Sequence, residues 1–142
     1  METVKKTPVI VLNGFLGSGK TTLFRNLLAQ SKKMEIPINA IVNDMSELDV
    51  DGELLGSTGA VEQNSQILVS ISNCVLSSKR GIQKLDKAIK KLLANQNSKL
   101  IVIETSGSCH PLPLIEYFKN QNKVTLSAVF ALVDSLMLHQ DF

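Results

Sequence analysis

An α/β fold built on a mainly parallel sheet is what this sequence of 142 residues predicts. Three observations carry the expectation. Short apolar runs at 8–12, 38–42, 67–71, 100–103 and 125–133 recur along the chain, with amphipathic stretches between them. The runs are continuous rather than alternating, which suits strands covered on both faces. A glycine-rich segment joins the first run to the first amphipathic stretch, and ligands of such sheets bind beyond the carboxyl ends of the strands.

Pro8-Val9-Ile10-Val11-Leu12 forms the first strand and ends in Asn13-Gly14. From Thr21 to about Ser31, Leu23, Phe24, Leu27 and Leu28 share one face at helical spacing. Pro37 breaks the chain before a second strand, Ile38 to Val42. Asn43 to Gln66 holds three glycines and scattered acids and reads as a long loop, of the kind that carries function or mobility in a compact domain. Ile67 to Ile71 follows as a short strand. Arg80 to Asn95 is the clearest helix: Ile82, Leu85, Ile89, Leu92 and Leu93 make its apolar stripe, and Lys84, Lys87, Lys90 and Lys91 form a solvated basic side. Leu100 to Ile103 is a buried strand. Pro111 opens a further helix that runs through Phe118, since a proline in the first turn sacrifices no hydrogen bond. Thr125 to Val133 is the last strand. No repeat, linker or second domain interrupts residues 1–142, which read as one domain.

Composition excludes several classes. Apolar residues at 44% and charged residues at 20% are an ordinary globular balance, not that of a disordered chain. A net charge of +2 calls for neither nucleic acid nor an anionic membrane as partner. No apolar run approaches the ~18 residues of a membrane span, and Met1 to Lys6 lacks signal-peptide architecture. Two cysteines, Cys74 and Cys109, make no disulfide framework and suggest a reducing, cytoplasmic setting.

The chemistry begins at residues 14–21. Gly14-Phe15-Leu16-Gly17-Ser18-Gly19-Lys20-Thr21 satisfies G-x-x-x-x-G-K-S/T at every fixed position, between a buried strand and an amphipathic helix. A random chain of this length matches that pattern roughly once in a hundred or less. Glycines let successive N–H groups turn toward phosphate oxygens, and the helix N-terminus favours an anion. Gly14, Gly17, Ser18 and Gly19 thus line a phosphate site. Lys20 is expected to reach the β- and γ-phosphates, the Thr21 hydroxyl to ligate Mg²⁺, and Thr22 to lie near the α-phosphate. This makes the expected fold a P-loop NTPase, a Rossmann-like three-layer sandwich.

Such a site needs an acid near Mg²⁺ and a contact to the γ-phosphate. The strand Leu100-Ile101-Val102-Ile103 ends in Glu104, followed by Thr105-Ser106-Gly107. Glu104 is the candidate for holding a Mg²⁺-bound water or orienting the attacking water, and the Gly107 N–H for the γ-phosphate. A second acidic cluster, Asp44, Glu47, Asp49 and Asp51, lies between the P-loop helix and the Glu104 strand, where a switch segment ordered by Mg²⁺ and γ-phosphate belongs. Read alone, that cluster is more readily a solvated loop than a site.

Taken together, these stretches resemble the CobW-type P-loop GTPases, a family of metal chaperones related to the hydrogenase and urease maturation GTPases. Residues 14–23 are similar to the family P-loop almost residue for residue. Val42-Asn43-Asp44-Met45-Ser46-Glu47 with Asp51 resembles its switch segment. Ile103 to Gly107, then Pro111-Leu112-Pro113, resembles its Walker B region and the helix after it, and Val133-Asp134 the next strand end. The resemblance spans residues 9 to 134. It implies that Lys20 and Thr21 bind phosphates and Mg²⁺, that Glu47 and Asp51 sense or ligate Mg²⁺, and that Glu104 serves the catalytic water or the metal. GTP is the implied nucleotide, with ATP as the alternative, and a metalloprotein client is the implied partner.

Two departures qualify what the resemblance implies. The family carries a C-x-C-C metal motif after an Asn-Gly pair. Here the region reads Ser72-Asn73-Cys74-Val75-Leu76-Ser77-Ser78. One alignment retains Cys74 with Leu76 and Ser77 at the other two positions, and another retains no cysteine. Zn²⁺ takes about four ligands, mainly Cys and His, so Cys74 alone is a poor holder of Zn²⁺ or Co²⁺. Cys109 and His110 are either further ligands or, respectively, a buried core residue and a helix cap. Secondly, guanine is recognised in this class by a later N/S/T-K-x-D motif. Gln83-Lys84-Leu85-Asp86 is not that motif, because Leu85 belongs to a helix's apolar stripe. The domain is therefore expected to be incomplete at its C-terminus, with an uncovered sheet edge or face that makes it a homodimer or a sticky monomer.

Three activities follow. The first is Mg²⁺-dependent hydrolysis of GTP linked to insertion of cobalt or zinc, with Lys20 and Glu104 as the catalytic pair. The second is a degenerate module that binds nucleotide or a partner without turnover. The third is a phosphotransferase of another P-loop type.

Overall fold

The computed structural model describes residues 5–14, 20–44, 60–63, 66–94 and 98–133. Among them run six strands and three helices: β1 (Thr7–Gly14), α1 (Lys20–Lys33), β2 (Ile38–Asp44), β3 (Ala60–Gln63), β4 (Gln66–Ser72), α2 (Lys79–Ala94), β5 (Leu100–Glu104), α3 (Pro111–Lys119) and β6 (Val124–Leu132). They form one sheet in the order β3-β4-β2-β5-β1-β6. Five strands are parallel, and β3 alone is antiparallel, on β4.

Most of the expected elements appear within a residue or two of their expected ends. The long loop expected from Asn43 to Gln66 is the correction, since it contains β3 and the first residue of β4. Four residues, Ala60-Val61-Glu62-Gln63, carry too little periodicity to announce a strand; pairing with Val69, Leu68, Ile67 and Gln66 makes it one.

The apolar runs meet the helices on two faces. Val9, Val11, Ile41, Ile101 and Ile103 face one side, against Leu85, Ile89 and Leu92 of α2 and Leu114 and Phe118 of α3. Leu12, Ala40 and Val102 face the other, against Phe24 of α1. An extra residue, Ser127, interrupts the register between β1 and β6, so that Leu126 pairs with Val9 and Ala128 with Ile10.

The helix ends show why the helices stop and start there. Glu35 takes a left-handed φ of 56°, and Ile36 N–H donates to Ser31 O while Glu35 N–H donates to Lys32 O, closing α1 in a Schellman motif before Pro37. Ser78 caps α2: its Oγ accepts from Gly81 N–H at 3.0 Å. His110 caps α3, its Nδ1 accepting from Leu112 N–H at 3.3 Å, with Pro111 in the first turn.

Candidate functional site

The parallel strands all deliver their carboxyl ends to one edge of the sheet. There β1 ends at Gly14, β2 at Asp44, β4 at Ser72 and β5 at Glu104. Gly14 has φ 156°, a backbone state that side chains disfavour. Residues 15–19 lie between it and Lys20, the first residue of α1, whose opening turn holds no acid. A 14-residue helix that begins without a carboxylate leaves its N-terminal N–H groups and dipole to an anion.

Of the residues expected here, Gly14, Thr22, Glu104, Gly107 and Cys74 are described, and Lys20 and Thr21 are described as the backbone opening of α1. Gly17, Ser18, Gly19, Glu47 and Asp51 lie outside the described residues. Glu104 is half-buried and stands in register with Leu12 of β1 on one side and Val42 of β2 on the other. Gly107 sits in a turn closed by Cys109 N–H donating to Ser106 O at 3.1 Å, immediately beyond that strand end. Thr22, the third residue of α1, is exposed.

Buried polar side chains, which the sequence did not single out, stitch this edge together. Thr105 is 1% exposed. Its Oγ1 donates to Asn13 Oδ1 at 2.7 Å and lies 3.2 Å from Leu12 O, to which Thr105 N–H also donates. Asn43, also buried, donates to Ile71 O at 3.1 Å and Cys74 O at 2.8 Å and accepts from Leu76 N–H at 3.3 Å. Asn43 falls just past the strand end expected at Val42, and it is the extension of β2 to Asp44 that puts it on the same face as Ile41. Asn39 does similar work at the opposite end of β2, accepting from Ile67 N–H and donating to Ser98 Oγ.

The segment that follows β4 is therefore a rigid joint. Asn73 takes a left-handed φ of 64°, a position that glycine or asparagine fills most readily. Lys84 donates to Ser72 O at 3.0 Å, so this lysine anchors the joint and is not part of a solvated basic side. His110 N–H donates to Ser77 Oγ at 3.2 Å, tying the joint to the segment after Glu104. Leu76 is withdrawn into the core. A Cβ on Gly81 would overlap Val75 O and stand 2.6 Å from Leu76 Cα, so α2 touches the joint backbone to backbone.

Cys74 and Cys109 lie in the same buried cluster with no disulfide between them, and His110 serves as a cap. Burial of Cys109 and the cap made by His110 are the features that the core-and-cap alternative expects. Among the described residues no group of three or more His, Cys, Asp or Glu is arranged to hold a metal ion. Among the described residues Cys74 is thus a buried thiol outside any such group.

Comparisons with known proteins agree with this geometry. The family model described as CobW/HypB/UreG, nucleotide-binding domain, matches residues 8–141. A zinc chaperone CobW of Pseudomonas aeruginosa is 35% identical over 143 residues, covering 95% of this chain and 37% of its own length. Zinc-regulated GTPase metalloprotein activator 1 of Dictyostelium discoideum is 38% identical over 122 residues, 80% of this chain and 25% of its own. The zinc chaperone YjiA of Escherichia coli is 33% identical over 137 residues, 90% of this chain and 40% of its own. A crystal structure of a Zn(II)-bound triple mutant of the YjiA GTPase superposes with a TM-score of 0.62 at 30% identity, over 96% of this chain and 43% of that one. The chain thus spans between a quarter and about two fifths of the length of these relatives.

Proposed function

Because the chain belongs to the CobW/HypB/UreG family of nucleotide-binding domains, we propose that residues 1–142 act as one P-loop domain that binds GTP with Mg²⁺ and hydrolyses it. The observation that carries the reading is the register of β1 with β5. It sets Glu104 beside Leu12, two residues before the glycine-rich segment that leads into the acid-free N-terminus of α1.

In this reading Gly14, Gly17, Ser18 and Gly19 cradle phosphate with backbone N–H groups. Lys20 spans the β- and γ-phosphates, Thr22 lies by the α-phosphate, and the Gly107 N–H meets the γ-phosphate. Thr21 and Glu104 offer hard oxygen donors, with Glu47 and Asp51 approaching from the segment after β2. Such donors fit Mg²⁺, which takes oxygen ligands and keeps several waters. When bound, Mg²⁺ neutralises charge on the phosphate oxygens. Glu104 orients the attacking water. A metalloprotein client and a zinc or cobalt cargo follow from what the relatives are named for. With Cys74 as the one thiol in the joint, cargo needs ligands from a client or from elsewhere.

Two further expectations belong here. Two cysteines outside any disulfide suit a cytoplasmic setting, and no helix among the described residues is long and apolar enough to cross a membrane. A second copy of the chain is the expected partner at β6, where Val129, Phe130 and Val133 are exposed. A monomer by light scattering across micromolar concentrations would remove that partner.

Calorimetric titration with non-hydrolysable GTP and ATP analogues, each with Mg²⁺, tests the central reading. Selective, Mg²⁺-dependent binding of the GTP analogue is expected, and Lys20→Ala is expected to lower affinity about a hundredfold or more. Binding of neither analogue would refute it. The second reading, a module that binds without turnover, is favoured by the joint: Leu76 and Ser77 are committed to packing and to His110. Turnover abolished by Glu104→Gln would exclude that alternative.

A further inference from the structure

We propose that Thr105 and Asn13 are a positioning pair that holds the Glu104–Gly107 segment against the mouth of the phosphate loop and so makes the site prefer a nucleoside triphosphate to a diphosphate. The proposal rests on the nucleotide-binding reading and adds residues to it. The parallel ladder between β1 and β5 ends at Leu12 and Glu104. One residue further, the strands are still joined, by Thr105 N–H donating to Leu12 O and now also by a side chain: Thr105 Oγ1 to Asn13 Oδ1 at 2.7 Å. The next residue along β1 is Gly14, where the phosphate loop begins, and the preceding residue along β5 is Glu104. The bond therefore spans the two parts that must keep a fixed separation for the γ-phosphate to be met from both sides.

Its surroundings make the bond selective for geometry. Thr105 is 1% exposed, so water does not compete for its hydroxyl. Leu12 O, 3.2 Å from the hydroxyl, already takes the Thr105 N–H at 3.1 Å. The Asn13 side chain is the closer of these two acceptors to the hydroxyl, at 2.7 Å, and a valine in place of Thr105 would keep the shape and lose that link. The α- and β-phosphates are expected to rest on the loop and the α1 N-terminus alone. Only the γ-phosphate also needs the β5 side. Loss of the pair should thus reduce triphosphate affinity and leave diphosphate affinity in place.

The experiment is fluorescence titration of the full chain with a labelled non-hydrolysable GTP analogue and with labelled GDP, both with Mg²⁺. Thr105→Val is expected to lower the triphosphate-to-diphosphate affinity ratio about tenfold, and Thr105→Ser, which restores the hydroxyl, to recover most of it. Asn13→Ala should match Thr105→Val, and the double variant should be no worse than either single one. Equal ratios in wild type and Thr105→Val would overturn the proposal, as would a parallel fall in both affinities that serine fails to rescue. Should Thr105→Val not fold, as judged by circular dichroism, Asn13→Ala decides by the same ratio. If wild type binds neither nucleotide, the nucleotide reading itself fails and takes this proposal with it. Wild-type binding with an unchanged variant ratio removes the positioning pair alone.

Discussion

The two faces of the sheet differ in how completely they are closed. Under α2 and α3, Leu76, Leu85, Leu92, Ile101 and Ile103 are withdrawn from water altogether, and Leu114 nearly so. Under α1, Leu12 and Val102 are equally buried, but Leu23, Leu27 and Leu28 are only partly covered. Phe130, in register with Leu12 and hence on that face, is 50% exposed. The phosphate-loop helix thus sits on the more open face and the densely packed helices on the other. Stability varies across a fold with buried apolar contact. The α1 face is then the part whose order depends most on a ligand, and the α2–α3 face supplies the frame.

The largest effects should separate the faces directly. Leu92→Ala, on α2, is expected to cost about 2–5 kcal/mol in urea denaturation. Leu27→Ala, on α1, removes a half-buried side chain and should cost about 1 kcal/mol. Equal losses would break the comparison. Gly81→Ala comes next. Alanine improves helix propensity by up to ~1 kcal/mol, but its Cβ would overlap Val75 O, and two backbone segments must part. A net destabilisation of about 1–3 kcal/mol is expected, with Ser77 and His110 amide signals shifting if the joint moves as a unit.

How much of this was legible in the sequence follows from the range of each interaction. Val9 to Leu12 and Ile101 to Ile103 announce buried strands because their apolar runs are local. Leu85, Ile89 and Leu92 announce α2 by spacing alone. The glycine-rich segment, Lys20, Thr21 and Glu104 stood out because their pattern is chemical and short. What stayed hidden was non-local. Ala60 to Gln63 became a strand only through β4, and Gly81 mattered only because Val75 and Leu76 press on it. Lys84 looked like surface by helix position, yet its chain reaches Ser72 O. Asn43 and Thr105 were visible as neighbours of acidic residues, and their roles as ties between strands depend on partners 28 to 93 residues away.

Nucleotide should then narrow the gap between the faces. Saturation with the Mg²⁺-bound GTP analogue at a hundred times its Kd should add about 2.7 kcal/mol to stability. Hydrogen exchange should show that gain in β1 and α1 first, with α2 amides slowed only to the extent that global unfolding is. Uniform slowing from the outset would argue that the two faces open together. A smaller change sharpens the same point from within α1. Glu35 holds a left-handed conformation at the helix's C-terminus, and Glu35→Gly should relieve roughly 0.5 kcal/mol net, after glycine's greater unfolded-state entropy. The gain, read from thermal melts, should be of similar size with and without nucleotide if the far end of α1 is independent of the phosphate site.

The smallest effect lies where α2 and α3 meet. Asp86 binds Lys90 at 2.8 Å and accepts from Tyr117 Oη at 2.8 Å. The hydrogen bond from Lys90, and next that from Tyr117, hold the Asp86 carboxyl below its usual range. Burial, with the hydrogen bond to Asp86 second, pushes the Tyr117 hydroxyl well above its usual value. A lowered carboxylate stabilises the fold above its unfolded pKa, near ~3.9, and loses that contribution as pH falls through the lower folded value. A raised tyrosine does the opposite: its contribution holds below an unfolded pKa of ~10 and disappears as pH climbs through the folded value. Across neutral pH both are present, so stability from this corner should be flat there. Lys90 is 74% exposed, so solvent screens the pair and Asp86→Asn should cost no more than about 0.5 kcal/mol at pH 7. The difference between wild type and Asp86→Asn should close as pH drops below about 4. A difference that persists undiminished at pH 2 would assign the effect of Asp86 to packing between α2 and α3 instead of to its charge.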